Sequence, residues 1–361
     1  MGVSAGEASP LDHAAAAVLA ALSAEPAWLG TPSSPVVVAV SGGADSVGLL
    51  LGLLQLGPAV GRRLVVAHAE HDLRAEAPDD RAFVTRLAEG VGVPVTWRRL
   101  TVRAVRDPAA VRGEGLEGRA RRLRYGFLAD VARETGAHHV LVAHTADDQA
   151  ETILHRVLRG TGVAGLAGMR RTRALADGIS LVRPLLAVSR ATMRRFLAHL
   201  GQAWREDATN TDTSRARNFL RHEILSRCAA GPYPASAAAL VRLGVQAAGV
   251  ADALSSAAGY LLDRHAERLP DGTVRLRAGD LATLAPPLVA EIFVALWRRE
   301  GWPQRDMTEA HYRTLVRLLG TAAGEDRAAS SRDLPGGIRA STGPRATLDV
   351  GPRQPFISTR R

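Results

Sequence analysis

The chain is predicted to have an α/β fold, a parallel-sheet domain followed by a smaller, mainly helical domain, and three observations predict it. Short β-branched, apolar runs alternate with helix-like stretches through the first half. A glycine-containing polar turn joins the first of these strands to the helix after it. Beyond about Arg195 the strand signal fades, and segments rich in alanine and leucine take over.

In chain order, Val36–Val40 reads as a strand that runs straight into Ser41-Gly42-Gly43-Ala44-Asp45-Ser46, with a helix over Ala44–Leu56. Leu64–Ala67, Val93–Arg98 and His139–Ala143 read as further strands, and Asp79–Val91, Gly118–Thr135 and Asp147–Leu158 as helices. Right-handed crossovers would put helices on both faces and a ligand site at the strands' carboxyl ends. Ser41, His68 and His144 each follow a predicted strand, so all three belong at one rim of the sheet. Later in the chain, Ala237–Arg264 and Pro287–Glu300 read as helices. Asp271–Leu276 reads as a turn with a short strand, and Thr347–Val350 as one strand. The expected division is 1–30 as an N-terminal extension and helix, 31–225 as the sheet domain and 226–325 as the helical domain. The remainder, 326–361, is a short C-terminal segment, partly mobile, and a linker is expected near Gly231-Pro232-Tyr233-Pro234.

Composition narrows the chemistry. The 361 residues suffice for two cored domains. The sole cysteine, Cys228, excludes an intramolecular disulfide, a CxxC pair and a cysteine-built metal cluster. The first arginine is Arg62, so the apolar stretch Ala14 to Leu22 lacks the basic flank of a secretory signal. No apolar run is expected to span a membrane, and the cytoplasm is the default location. All 46 Lys+Arg residues are arginines, and the net charge is +10. Arg98 to Arg124 holds nine arginines against Asp107, Glu114 and Glu117, while Arg156 to Arg195 holds nine against Asp177 alone. Such clusters suit a polyanion such as RNA, although solvated helix faces carry similar runs. An aromatic content of 4% argues against an extended base-stacking surface, but not against a pocket for one flipped base.

The turn Ser41 to Ser46 suits a pyrophosphate group, because it offers backbone N–H groups, two hydroxyls and a helix N-terminus. Glycines 42 and 43 allow close approach of the backbone. A Walker loop needs a lysine, which the chain lacks, and the Rossmann fingerprint needs differently spaced glycines. Ser-Gly-Gly-x-Asp-Ser instead resembles the PP-loop of ATP pyrophosphatases, which cleave ATP to AMP and pyrophosphate while adenylating a carbonyl-type oxygen. That resemblance implies an adenine nucleotide alpha hydrolase-like sheet domain, with Ser41, Gly42, Gly43, Ala44, Asp45 and Ser46 around ATP and Asp45 helping to hold Mg2+.

A second motif is His144-Thr145-Ala146-Asp147-Asp148-Gln149-Ala150-Glu151-Thr152. On a helix beginning near Asp147, Glu151 lies one turn on, and the two carboxylates suit Mg2+ or a cationic amine. Simple N-capping by Asp147 is the plain alternative. The segment His68-Ala69-Glu70-His71-Asp72-Leu73-Arg74 is suited to line an adenine or ribose pocket.

With Leu116 to Tyr125, Arg159 to Leu166, Arg183-Pro184-Leu185-Leu186, Trp204 to Asn210 and Arg217-Asn218, these motifs form an ordered series over about two-thirds of the chain. The series resembles the tRNA(Ile)-lysidine synthase family. Two departures are Glu70, where the family usually has Asn, and Thr209, where it has Ser. The chain is also shorter than family members with two C-terminal domains, which implies a reduced or absent last domain.

The resemblance implies ATP-dependent ligation of free lysine to C2 of the cytidine at the first anticodon position of the isoleucine tRNA with a CAU anticodon. Decoding then changes from AUG to AUA. It implies Asp45, His144, Asp147 and Glu151 as catalytic residues, with Asp45 and Asp147 also holding Mg2+. His68 and Arg121 would contact ATP, and Arg124, Arg217 and Asn218 the RNA. A homodimer is left open. The alternatives are another PP-loop tRNA-modifying enzyme, such as a 2-thiocytidine synthase, for which one cysteine is too few, and a non-catalytic RNA-binding relative.

Overall fold

The computed structural model describes residues 10–24, 26–29, 34–71, 76–103, 115–206, 216–324 and 329–353. The chain forms two compact units, one up to Gln246 and one from Ala247. Asp72, Leu73, Arg74 and the Asp207 to Asn210 part of the sequence series lie outside the described residues.

The first unit is built on a six-stranded sheet in the order β3-β2-β1-β4-β6-β5. Its strands are β1 Val36–Ala39, β2 Leu64–His71, β3 Val95–Leu100, β4 His139–Leu141, β5 Thr172–Ala176 and β6 Ile179–Val182. All neighbours are parallel except β5, which runs antiparallel to β6. Helices cover both faces, which is why β1 can be an unbroken valine run. Val36 and Val38 face a core with Leu49, Leu53, Met193 and Phe196, from the helices Ala44–Gln55 and Arg190–His199. Val37 points the other way, into a core with Phe127, Leu128 and Val131 of the helix Leu116–Thr135. The chain moves from β1 outward to β2 and β3 and then returns to β4. This reversal opens a crevice at the carboxyl ends of β1 and β4, where open α/β sheets bind ligands.

Four strands and four helices of the first half match expectation, and β5 and β6 are additions. Asp177-Gly178 joins them, with Gly178 at φ +67°, and this dipeptide is a hairpin signal. Thr172–Ala176 lacks apolar alternation, which hid the strand.

The second unit is mainly helical, as expected, but has more strands than the two short ones the sequence suggested. It contains a five-stranded antiparallel sheet in the order β7-β8-β11-β10-β9. The strands are β7 Ala266–Arg268, β8 Val274–Arg277, β9 Ser331–Leu334, β10 Ile338–Gly343 and β11 Thr347–Pro352. The segment expected to be partly mobile therefore supplies three strands. Leu334, Ile338, Ala340, Leu348 and Val350 anchor them in a core with Phe293, Leu296 and Trp297 of the helix Pro286–Arg299. The expected linker at Gly231 to Pro234 is a turn inside the first unit, and the boundary falls within the helix Ser236–His265. This 30-residue helix is long and apolar enough to cross a membrane by length and composition only. Its Ala258 and Leu262, however, are buried in the core of the second unit.

Candidate active site

A cavity of about 520 Å3 opens at the carboxyl ends of the parallel strands. Its floor is the turn after β1. Gly42 has φ +97°, a conformation that favours glycine, and its carbonyl accepts the Arg205 N–H at 2.9 Å. Ser46 closes the turn: its Oγ accepts the Ser41 N–H at 3.1 Å, lies 3.1 Å from Ser41 Oγ, and donates to the Gly43 carbonyl at 3.0 Å. Gly43 caps the helix Ala44–Gln55 with no side-chain bond, so the first helical N–H groups are available to an anion.

Arginine 190 organises the acids beside this loop. Its Nε is 3.5 Å from Asp45, one terminal nitrogen is 2.5 Å from Asp148, and the other is 2.8 Å from Glu151. Glu151 is fully buried and also accepts from Arg221 at 2.7 and 3.3 Å. Arg221 projects from a π-helical turn, Leu220–Leu225, a distortion frequent at functional sites. Burial raises the Asp45 pKa from 3.8 to about 6, Arg190 opposes the rise, and Asp148 and Asp147 add to it. Burial acts the same way on Asp148, but Arg190 and the Thr145 N–H outweigh it and hold this carboxyl below its ordinary value. The three carboxylates raise the Arg190 pKa against the effect of its own burial.

Three histidines, His68, His71 and His144, line the cavity. His68 lies inside β2, which is longer than expected, and its Nδ1 is 2.8 Å from the Val40 carbonyl. Burial lowers the His68 pKa, and it lowers that of His144 to about 3, so both rings are neutral at physiological pH. Beside His68, buried Glu70 pairs with Arg81 at 3.0 Å and Arg99 at 3.6 Å.

The structure brings Ser41, Gly43, Ala44, Asp45, Ser46, His68, Arg124 and His144 to the cavity wall, with Gly42 behind the turn. Asp147, expected as a magnesium ligand, is not among the residues lining the cavity wall. Its Oδ2 accepts the Arg190 backbone N–H at 2.9 Å, and Asp148 faces the cavity instead. The cause is the helix start. Thr145, not Asp147, is the N-cap, and Asp148 completes the capping box with bonds of 2.9 and 3.0 Å. Glu151 reaches the site through Arg190 rather than lining the wall. Arg121, Arg217 and Asn218 are not wall residues; Arg217 donates to Thr152 at 3.2 Å, and Asn218 is buried. Sequence reasoning missed Asp148, Arg190 and Arg221. The Ser189-x-x-Thr192 cap preceding Arg190–His199 was a usable sign of where Arg190 emerges.

Among the described residues no group of three or more His, Cys, Asp or Glu side chains forms a metal cage. Asp45 nevertheless fits Mg2+ shared with a nucleotide. Its Oδ1 is buried without a hydrogen-bond partner among the described residues, and Mg2+ commonly takes one or two carboxylates plus phosphate oxygens.

Fold and loop together define a PP-loop protein, and the family model for the PP-loop domain matches residues 12–228. The tRNA(Ile)-lysidine synthase of Thermus thermophilus is 46% identical over 242 residues, an alignment covering 66% of this chain and 43% of that one. The tRNA(Ile)-lysidine synthase of Rhodopirellula baltica is 34% identical over 316 residues, covering 78% and 79%. A solved U34-tRNA thiolase from Methanococcus maripaludis shares the fold at a TM-score of 0.50, with 13% identity over 65% of this chain and 80% of that chain. The chain belongs to the tRNA(Ile)-lysidine synthase family. It spans 43% of the length of its Thermus relative.

Proposed function

We propose that the chain is an ATP-dependent ligase joining free lysine to C2 of the cytidine at the first anticodon position of the CAU isoleucine tRNA, in the cytoplasm. The observation that carries this reading is the convergence of Asp45, Asp148 and Glu151 on one cationic group beside the phosphate loop. Ligation of an amine at a nucleotide site needs such a pairing of anion-binding and cation-binding surfaces. In the first step the cytidine O2 attacks the α-phosphorus of ATP and pyrophosphate leaves. In the second the ε-ammonium of lysine first gives a proton to water, the free amine attacks C2, the C2–O bond breaks with departure of AMP, and the nitrogen releases a second proton to water.

The loop N–H groups with Ser41 and Ser46 hold phosphate oxygens, and His68 and Glu70 line the nucleoside end. Asp148 and Glu151 hold the cationic substrate in exchange for Arg190. His144 resists protonation, so it accepts a hydrogen bond from the amine and orients it. Asp45 would hold Mg2+, which when bound offsets phosphate charge. With Cys228 the sole cysteine, no pair is present to carry sulfur for a thiolation.

The test is incorporation of radiolabelled lysine into the isoleucine tRNA transcript, with and without ATP, against the methionine tRNA with the same anticodon. ATP-dependent labelling of the isoleucine transcript alone is expected. ATP split to AMP without labelling would assign the site to a different nucleophile or RNA.

A further inference from the structure

The hairpin missing from the sequence reading brings two arginines to the rim of the cavity. β5 is antiparallel, with Arg173 opposite Leu181 near the carboxyl end of β6. Arg183 directly follows β6, and its N–H donates to the Arg171 carbonyl at 2.8 Å. At this rim they meet Arg121 and Arg124 of the helix Leu116–Thr135, and all four gather around Tyr125. The guanidinium carbons of Arg121, Arg124 and Arg173 lie 4.9, 5.4 and 4.7 Å from the Tyr125 ring centre. Arg183 is only 2% exposed, and its Nε has no hydrogen-bond partner among the described residues.

Among the described residues, no carboxylate is one of the groups acting most strongly on Arg121 or Arg183; the neighbours that do are Tyr125 and other arginines. Burial and this mutual repulsion hold both guanidinium pKa values below the ordinary one. Burial would raise the Tyr125 phenol, but Arg121 and Arg124 pull it below its usual value. Partly buried like charges without a counter-charge are costly, and an anion relieves that cost. Stacking on one ring also pre-orients the planar donors for a tetrahedral oxyanion.

We propose that this Tyr125-centred arginine cage is a subsite for a phosphodiester of the RNA strand that carries the target base. The sheet order separates it from the nucleotide. The phosphate loop follows β1 and His68 lies on β2, whereas Arg173 and Arg183 belong to the β6-β5 edge, beyond β4. Arg124 and Tyr125 line the cavity itself, so a phosphate held there stands next to a base entering it. Single-stranded RNA with a splayed base is positioned in this way, by its backbone. The inference rests on the proposed function for the identity of the RNA.

The test is binding of a fluorescent CAU anticodon stem-loop to the full chain over a range of salt concentrations, for wild type, Arg173→Gln and Arg173→Lys, with ATP affinity measured separately without RNA. Arg173→Gln is expected to weaken RNA binding several-fold and to reduce the slope of log affinity against log salt by about 0.7. Arg173→Lys keeps the slope, and ATP affinity stays unchanged in both, which also reports an intact fold. An unchanged slope in Arg173→Gln, with wild type binding, overturns the cage and leaves the proposed function standing. Weakened ATP binding also overturns it, by assigning the cage to nucleotide phosphates. A wild type that does not bind the stem-loop overturns the proposed function and the cage with it.

Discussion

Replacing Asp45 by asparagine should make the ligand-free protein more stable and inactive at the same time. Burial moves this carboxyl from 3.8 to about 6 despite Arg190, and its side chain is 24% exposed. The displacement corresponds to about 3 kcal/mol of destabilisation once the group is ionised in both folded and unfolded chains. Because the folded value lies above the unfolded one, the unfolded chain loses its proton first as pH rises. Stability therefore falls between about pH 4 and pH 6, and the loss is complete above that window. Asparagine removes the penalty but also the 3.5 Å contact with Arg190, so a net gain of about 1–3 kcal/mol is expected at pH 8. At pH 5 about half of the gain should remain. Urea unfolding of both proteins at the two pH values measures this, and AMP release should fall at least about 100-fold in the variant. An Asp45→Asn protein less stable than wild type at pH 8, or one with the same advantage at pH 5 and pH 8, would refute the reasoning.

Arg190→Met should lower stability by about 3 kcal/mol and abolish turnover, because it strips buried Glu151 and Asp148 of a shared counter-charge; thermal unfolding and AMP release check both effects. Arg190→Lys should recover less than half of the lost stability, since one ammonium cannot span the positions of a planar fork. For His144 the folded pKa, about 3, lies below the unfolded 6.5, so its contribution is complete above about pH 6.5 and is lost as pH falls. His144→Asn should remove about 2 kcal/mol of the stability change between pH 7 and pH 5, seen as a difference between two urea series. Gly168→Ala should cost about 2 kcal/mol, read as a lowered melting temperature, because φ is +67° and a Cβ would stand 2.7 Å from the Gln149 amide that bonds Met169.

Continuous apolar runs made most of the central strands legible, but the four-residue strand Ile179–Val182, covered on both faces, was missed. Val36–Ala39 and Leu64–His71 carry continuous apolar runs, and a glycine turn or a polar segment marks where each stops. Strands that pair at an edge leave weaker traces. Ala266–Arg268 and Ser331–Leu334 are mostly exposed, so their sequences read as loop, and only antiparallel pairing with β8 and β10 makes them strands.

The active-site acids teach a finer lesson. That carboxylates after His144 belong at the rim followed from strand and helix order alone. Which of them faces the cavity depended on two residues of helix register, because moving the N-cap from Asp147 to Thr145 turns the helix face by about 200°. With Thr145 as cap, Asp148 and Glu151, three residues apart, come to the same side. Asp147 is left to the backbone N–H of Arg190. The partner that joins those acids could not be read locally at all. Arg190 is 39 residues from Glu151 and Arg221 is 70, on separate helices, and tertiary packing alone brings the two guanidinium groups to one buried carboxylate. The cation already resting among Asp45, Asp148 and Glu151 keeps three close carboxylates compatible with a folded, ligand-free protein. If the site takes the amine of the proposed function, that ammonium would compete with an internal arginine, which would tie affinity for the amine to how readily Arg190 withdraws.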